Sequence, residues 1–203
     1  MIEIGTALAL DQAPIHTGWA VGSPDSRSPV WGHWRLRPWG DDEGVRLNEF
    51  EDRLIGLIEK YRVTHVFREQ VYPIIPKGRH DKKTWRNYET REQQTGVVMA
   101  IASVCARRKI PLMQVLIADW RMRFIGCTSI PGLQGDPARE ELKRRAQAEC
   151  NKRGWWVDNP DAAEACGILN FALCLDARYE RRDNPLMRRA QTAADERRRA
   201  GLA

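Results

Sequence analysis

Four carboxylates stand where the chain pattern places the ends of structural elements. Asp11 closes the apolar run Ile4 to Leu10, and Glu69 closes a second short run, Val63 to Phe67, in the segment VTHVFRE. A carboxylate buried without a partner is costly. Each therefore either faces a cation or is an ordinary exposed strand end, Glu69 then lying beside Arg68. Asp161 and Glu164 lie in DNPDAAEACGILNFAL, where Asn159 and Pro160 punctuate the chain ahead of an apolar helical stretch. An aspartate at a helix start serves well as N-cap, with a glutamate three residues on as its capping-box partner. The same i, i+3 spacing also puts both carboxylates on one helical face, from which they can converge on one cation. Four such side chains suit Mg2+ or Mn2+, which prefer hard oxygen ligands. Two of these ions roughly 4 Å apart can activate a water and stabilise the leaving oxygen in phosphodiester hydrolysis, so no protein nucleophile is needed. The chain has neither a GxSxG elbow nor a Ser-His-Asp pattern, and His16, His33, His65 and His80 share no common spacing. The five cysteines (Cys105, Cys127, Cys150, Cys166 and Cys174) include no CxxC pair. That argues against a disulfide framework or a zinc site and leaves free thiols.

The elements that must position these acids follow from periodicity. Ile4 to Leu10, Thr17 to Val21 and Val30 to Leu36 read as three strands of an antiparallel meander. Leu47, Phe50, Leu54, Leu57, Ile58 and Tyr61 recur at helical spacing. Val63 to Phe67 is a buried strand, Pro73 to Asn87 a polar loop, Tyr88 to Arg108 a helix and Leu112 to Ile117 a strand. Helical patterns follow from Asp119, over Ala138 to Arg153, and over Asp161 to Tyr179. This order predicts an α/β fold, one mixed sheet with helices packed on it.

The chain has 203 residues, of which 42% are apolar. That is enough for one domain with a full core, here residues 1–176, ahead of an arginine-rich tail over 177–203. The net charge of +6 favours a polyanionic partner, nucleic acid first. Lys77, Arg79, His80, Lys82, Lys83 and Arg86 surround Trp85 in the segment after Glu69. Such a loop can hold phosphates while Tyr72 or Trp85 stacks on an unpaired base; a solvated loop is the alternative. On the charged helix, one of Lys143, Arg144 and Arg145 could reach a scissile phosphate, or all three line a solvated face. Trp155 and Trp156 are expected to pack under the last helix. No apolar run approaches the roughly 20 residues that span a bilayer. The start MIEIGTALALDQ lacks the pattern of a signal peptide. A cytoplasmic protein without membrane contacts is expected.

Three ordered segments resemble the RuvC-type Holliday junction resolvases of the RNase H-like superfamily, especially phage and prophage members. ALALDQAPIHTGWAV looks like the first hairpin, with Asp11 followed by Thr17-Gly18. REQVY looks like the second acidic motif, and NPDAAEA like the terminal motif with two acids three apart at a helix start. The match runs from Ile4 to about Leu175. The resemblance implies a five-stranded RNase H-like sheet with Asp11, Glu69, Asp161 and Glu164 as catalytic and metal-binding residues. It also implies two Mg2+ or Mn2+ ions per site and a homodimer that cuts four-way junctions symmetrically in a bacterial host cell. Tyr72 aligns with an aromatic that family members place at the junction centre; simple packing is the alternative. Glu164 departs from the usual aspartate, and Gln-Ala-Pro follows Asp11 where Pro-Gly is common. The function expected is a structure-selective endodeoxyribonuclease for branched DNA. An RNase H-like enzyme on RNA–DNA hybrids and a non-catalytic junction-binding protein are the alternatives.

Overall fold

The computed structural model describes residues 4–36, 43–71 and 82–176, with backbone alone at 43, 82–91, 175 and 176. Within them lie five strands and five helices. In chain order these are β1 (Ala7–Asp11), β2 (His16–Gly22), β3 (Val30–Arg35), α1 (Glu43–Tyr61), β4 (His65–Glu69), α2 (Lys82–Arg108), β5 (Leu112–Val115), α3 (Ile117–Ile125), α4 (Gly135–Lys152) and α5 (Pro160–Asp176). The sheet order is β3-β2-β1-β4-β5. The meander β1 to β3 is antiparallel, while β4 runs parallel to both β1 and β5. The expected mixed five-stranded sheet flanked by helices is thus the observed fold.

Each strand divides its residues between two cores, because side chains alternate across a sheet. Ala7, Ala9, Ala20, Phe67 and Val115 share one core with Trp120 and Phe124 of α3, Ala146 and Cys150 of α4 and the apolar body of α5. Leu8, Leu10, Val21, Trp34 and Val66 share the other with Phe50 and Leu54 of α1 and Val97, Ile101 and Val104 of α2. α5 is apolar on every side because it lies between the sheet and the α3–α4 layer. Small residues let it approach: Ala7, Ala9 and Ala20 on the strands meet Ala162, Ala163 and Ala165 on the helix, all fully buried.

Two sequence expectations change. Lys82 to Asn87 belongs to α2 rather than to a loop. The breakers Pro73, Pro76 and Gly78 all precede Lys82, and KKTWRN has neither proline nor glycine. Its polar residues are compatible with a helix and do not mark a break in helicity. Trp155 packs against the α5 core as expected, but Trp156 is 77% exposed. Tyr72, Lys77 and Arg79 lie outside the described residues, as does the basic segment 177–203. The side chains of Lys82, Lys83, Trp85 and Arg86, on the first turns of α2, are likewise not described. No helix among the described residues is long and apolar enough to cross a membrane.

Candidate active site

Strand alternation fixes where two of the acids point. Asp11 follows Ala9 by two residues and Glu69 follows Phe67 by two, so both face α5. Leu10 pairs with Arg68 in the parallel register, which brings the two acids to adjacent strand ends. The Gln12 amide nitrogen donates to the Glu69 carbonyl at 2.8 Å, tying the two ends together, and the Arg68 guanidinium of the same strand donates to that carbonyl at 3.0 Å.

The start of α5 supplies the other pair. The Asn159 side-chain oxygen accepts from the backbone N–H of Asp161 at 2.9 Å and of Ala162 at 3.0 Å. Asn159 is therefore the N-cap and Pro160 takes the first helical position, where its missing N–H costs nothing. The capping role open to Asp161 from sequence is filled by its neighbour, and the Asp161 and Glu164 carboxylates are left for the site. Gly18, paired with Asp11 across β1 and β2, admits them. A methyl group there would lie 2.0 Å from the Asp161 carbonyl oxygen.

The result is a group of three carboxylates, Asp11, Asp161 and Glu164, whose ligand oxygens all lie within 4.8 Å of one another. Glu164 is nearly sealed from solvent. Basic and aromatic groups hold this cluster. Arg121 Nη2 donates to Glu164 Oε1 at 2.7 Å, and Lys143 Nζ bonds Asp161 Oδ1 and lies 3.5 Å from Glu164 Oε2. Trp120 Nε1 donates to Glu69 Oε2 at 3.1 Å. Of the basic run on α4, Lys143 thus meets the acids, whereas the exposed Arg144 forks onto Glu141 at 2.7 and 2.8 Å. Arg145 also bonds Glu141, and together the two arginines draw its carboxyl down to about 2.

Burial raises the Asp11 carboxyl well above the usual aspartate value, and the nearby charges of Glu164, Glu69 and Asp161 add to it against Lys143. Burial and Glu164 raise Glu69 too, opposed by the Trp120 hydrogen bond and by Arg121 and Arg139. Burial works against the Lys143 ammonium, but its bond to Asp161 and the charges of Glu164 and Asp11 outweigh that and raise it. Burial, with repulsion from the neighbouring acids, makes the charged forms of Asp11 and Glu69 costly. A divalent cation answers that cost. The donors are hard oxygens, and among the described residues no histidine or cysteine joins the group. The set fits Mg2+ or Mn2+.

Sequence reading missed Trp120, Arg121 and Arg139, which belong to no motif, and Gln12, which lies within the first hairpin motif but was given no role. Thr17-Gly18 entered only as part of the first hairpin. Trp120 and Arg121 are consecutive in IADWRMRFI, and only the packing of α3 beside Gly167 shows that they address two different acids. A methyl at Gly167 would lie 2.7 Å from the Trp120 ring.

No family model and no curated protein sequence matches this chain. Solved structures do. Two structures of Thermus thermophilus RuvC, one in complex with a Holliday junction substrate, superpose with TM-scores of 0.59 and 0.60 at 10% identity. The match covers 85% of this chain and 95% of theirs. The yeast mitochondrial Holliday junction resolvase Ydc2 superposes with a TM-score of 0.52 at 12% identity, over 85% of this chain and 79% of that one. The protein has a RuvC-like fold of the RNase H-like class.

Proposed function

We propose that this protein is a metal-dependent endodeoxyribonuclease that cuts four-way DNA junctions, and other branched DNA, as a homodimer in a bacterial cytoplasm. The observation that carries the proposal is the convergence of Asp11, Asp161 and Glu164 within 4.8 Å beside Glu69, at the ends of parallel strands. The likeness to junction resolvases supports the choice of substrate, and the three motifs support a phage or prophage relationship. Asp11, Glu69, Asp161 and Glu164 would hold the ions, which supply an activated water and neutralise the leaving oxygen.

The chain's own residues do the rest. Trp120 and Arg121 fix the orientations of Glu69 and Glu164. Lys143 stands against the acids on the side of α4, and from there it would bind the scissile phosphate. Lys77, Arg79, Lys82, Lys83, Arg86 and Arg144 would bind backbone phosphates of the DNA arms, and Tyr72 or Trp85 would stack on an unpaired base. A two-fold dimer presents one site to each half of a junction that is itself close to two-fold symmetric.

Substrate choice is the test. Incubated in Mg2+ with a four-way junction, linear duplex, single strand and RNA–DNA hybrid, the protein is expected to cut the junction at least about tenfold faster than the others. A tenfold preference corresponds to about 1.4 kcal/mol of transition-state discrimination. Faster cutting of the hybrid would replace the proposal with an RNase H activity. Tight junction binding without cutting in any divalent metal would replace it with a binding protein.

A further inference from the structure

Trp156 is the largest side chain among the described residues to stand in solvent, and its backbone is constrained to keep it there. It sits at φ 49°, in the left-handed region that bulky residues rarely enter. Gly154, two residues before, already provides one left-handed turn at φ 78°. The chain on both sides of Trp156 is fastened. The Trp155 N–H donates to the Cys150 carbonyl at 3.0 Å, and the Trp155 carbonyl accepts from Trp31 Nε1 at 3.2 Å. The Trp155 ring stacks on Phe124 with centroids 5.9 Å apart. Val157 is buried, and its carbonyl accepts from Gln147 Nε2 at 3.1 Å. One tryptophan of the pair does the packing and the other is held outward by rigid neighbours.

The backbone that carries Trp156 is tied to elements that hold the acid cluster. Gln147, which holds the Val157 carbonyl, is one helical turn from Lys143 on the same face of α4, and Lys143 bonds Asp161. Asp161 follows Trp156 by five residues, so the two are at most about 17 Å apart along the chain.

We propose that Trp156 stacks on a nucleobase of the cleaved strand, one unpaired or splayed beside the branch point within a few nucleotides of the cut. The inference rests on the nuclease reading. A rigidly presented indole offers a flat face to any base and forfeits little freedom on binding, which suits recognition of an opened strand without regard to sequence.

The test uses the full chain with Asp11→Asn, so that DNA is bound and not cut, and measures its affinity for a four-way junction at several salt concentrations. Adding Trp156→Ala is expected to weaken binding about tenfold at every salt concentration. The salt slope should not change, because no phosphate contact is lost, and the melting temperature should stay within about 2 °C of the parent. Trp156→Phe should restore affinity to within about threefold. Unchanged affinity in Trp156→Ala overturns the inference and leaves the nuclease reading intact. So does a change in oligomeric state, which would place Trp156 in a subunit contact. A parent that binds no DNA overturns both.

Discussion

Asp11→Asn is expected to make the metal-free protein more stable while weakening its response to divalent cations. Asp11 meets Glu164, Glu69 and Asp161 in a recessed cluster, and burial with those charges raises its carboxyl above the ordinary aspartate value of 3.8. The fold therefore holds the Asp11 proton more tightly than the unfolded chain does. The stability tied to that proton is fully present below the ordinary aspartate value and is lost as pH rises through the raised value. The amide needs no proton to be neutral. Wild type and Asp11→Asn should accordingly melt together at the acidic end, near pH 3. The variant should gain as pH rises through that window and hold its lead at neutral pH. Each kcal/mol so relieved raises the melting temperature of a chain this size by roughly 2–4 °C. Saturating Mg2+ or Mn2+ should reverse the order. A cation at 100 times its dissociation constant stabilises the wild type by about 2.7 kcal/mol, and the variant, lacking one ligand, should gain much less. Thermal melts of both proteins from pH 3 to pH 8, with and without metal, read all of this. A variant that is less stable than wild type at neutral pH without metal would contradict the electrostatic picture of the site.

Gly18→Ala is expected to cost nearly as much activity as loss of an acid, although Gly18 carries no chemistry. The added methyl would lie 2.0 Å from the Asp161 oxygen and 2.7 Å from the Ala162 nitrogen, both backbone atoms that cannot rotate aside. Either β2 or the start of α5 must move. Overpacking of this kind costs about 1–3 kcal/mol, and a displacement of about 1 Å at a positioned ligand costs about 100-fold in rate. Gly22→Ala is the matched control on the same strand, since its methyl would meet the flexible end of Leu169 at 3.2 Å. Steady-state cleavage by the two variants checks the contrast. Gly18→Ala cutting within about twofold of wild type would mean that the close approach of α5 to β2 does not set the site.

The acids were legible in the sequence because each sits at a boundary that periodicity marks. ALALD alternates between two cores and ends on Asp11, and NPDAAEA opens an apolar helix with its acids three residues apart. Resemblance of three ordered motifs then joined them across the chain. Two kinds of information were not legible. The division of labour at α5 depended on which residue caps the helix. Asn159 and Asp161 are both good caps, and only the observed hydrogen bonds separate them. The supports on α3 are set by tertiary packing. Trp120 reaches Glu69 across 51 positions of sequence and Arg121 reaches Glu164 across 43, separations at which a single sequence carries no signal. The start of α2 is hidden from periodicity for a local reason. KKTWRN has helix-compatible residues but no apolar stripe, so periodicity was silent there.

That these carboxylates together make a junction-cutting metal site is tested most directly by one comparison. Wild type and Asp11→Asn should be brought to equal occupancy on a labelled four-way junction and the first cleavage turnover followed in Mg2+. Wild type is expected to cut strands of like polarity at symmetric positions. Asp11→Asn is expected to bind the junction while cutting at least about 1,000-fold more slowly, a barrier increase of about 4 kcal/mol. Undiminished cutting by Asp11→Asn would contradict the claim.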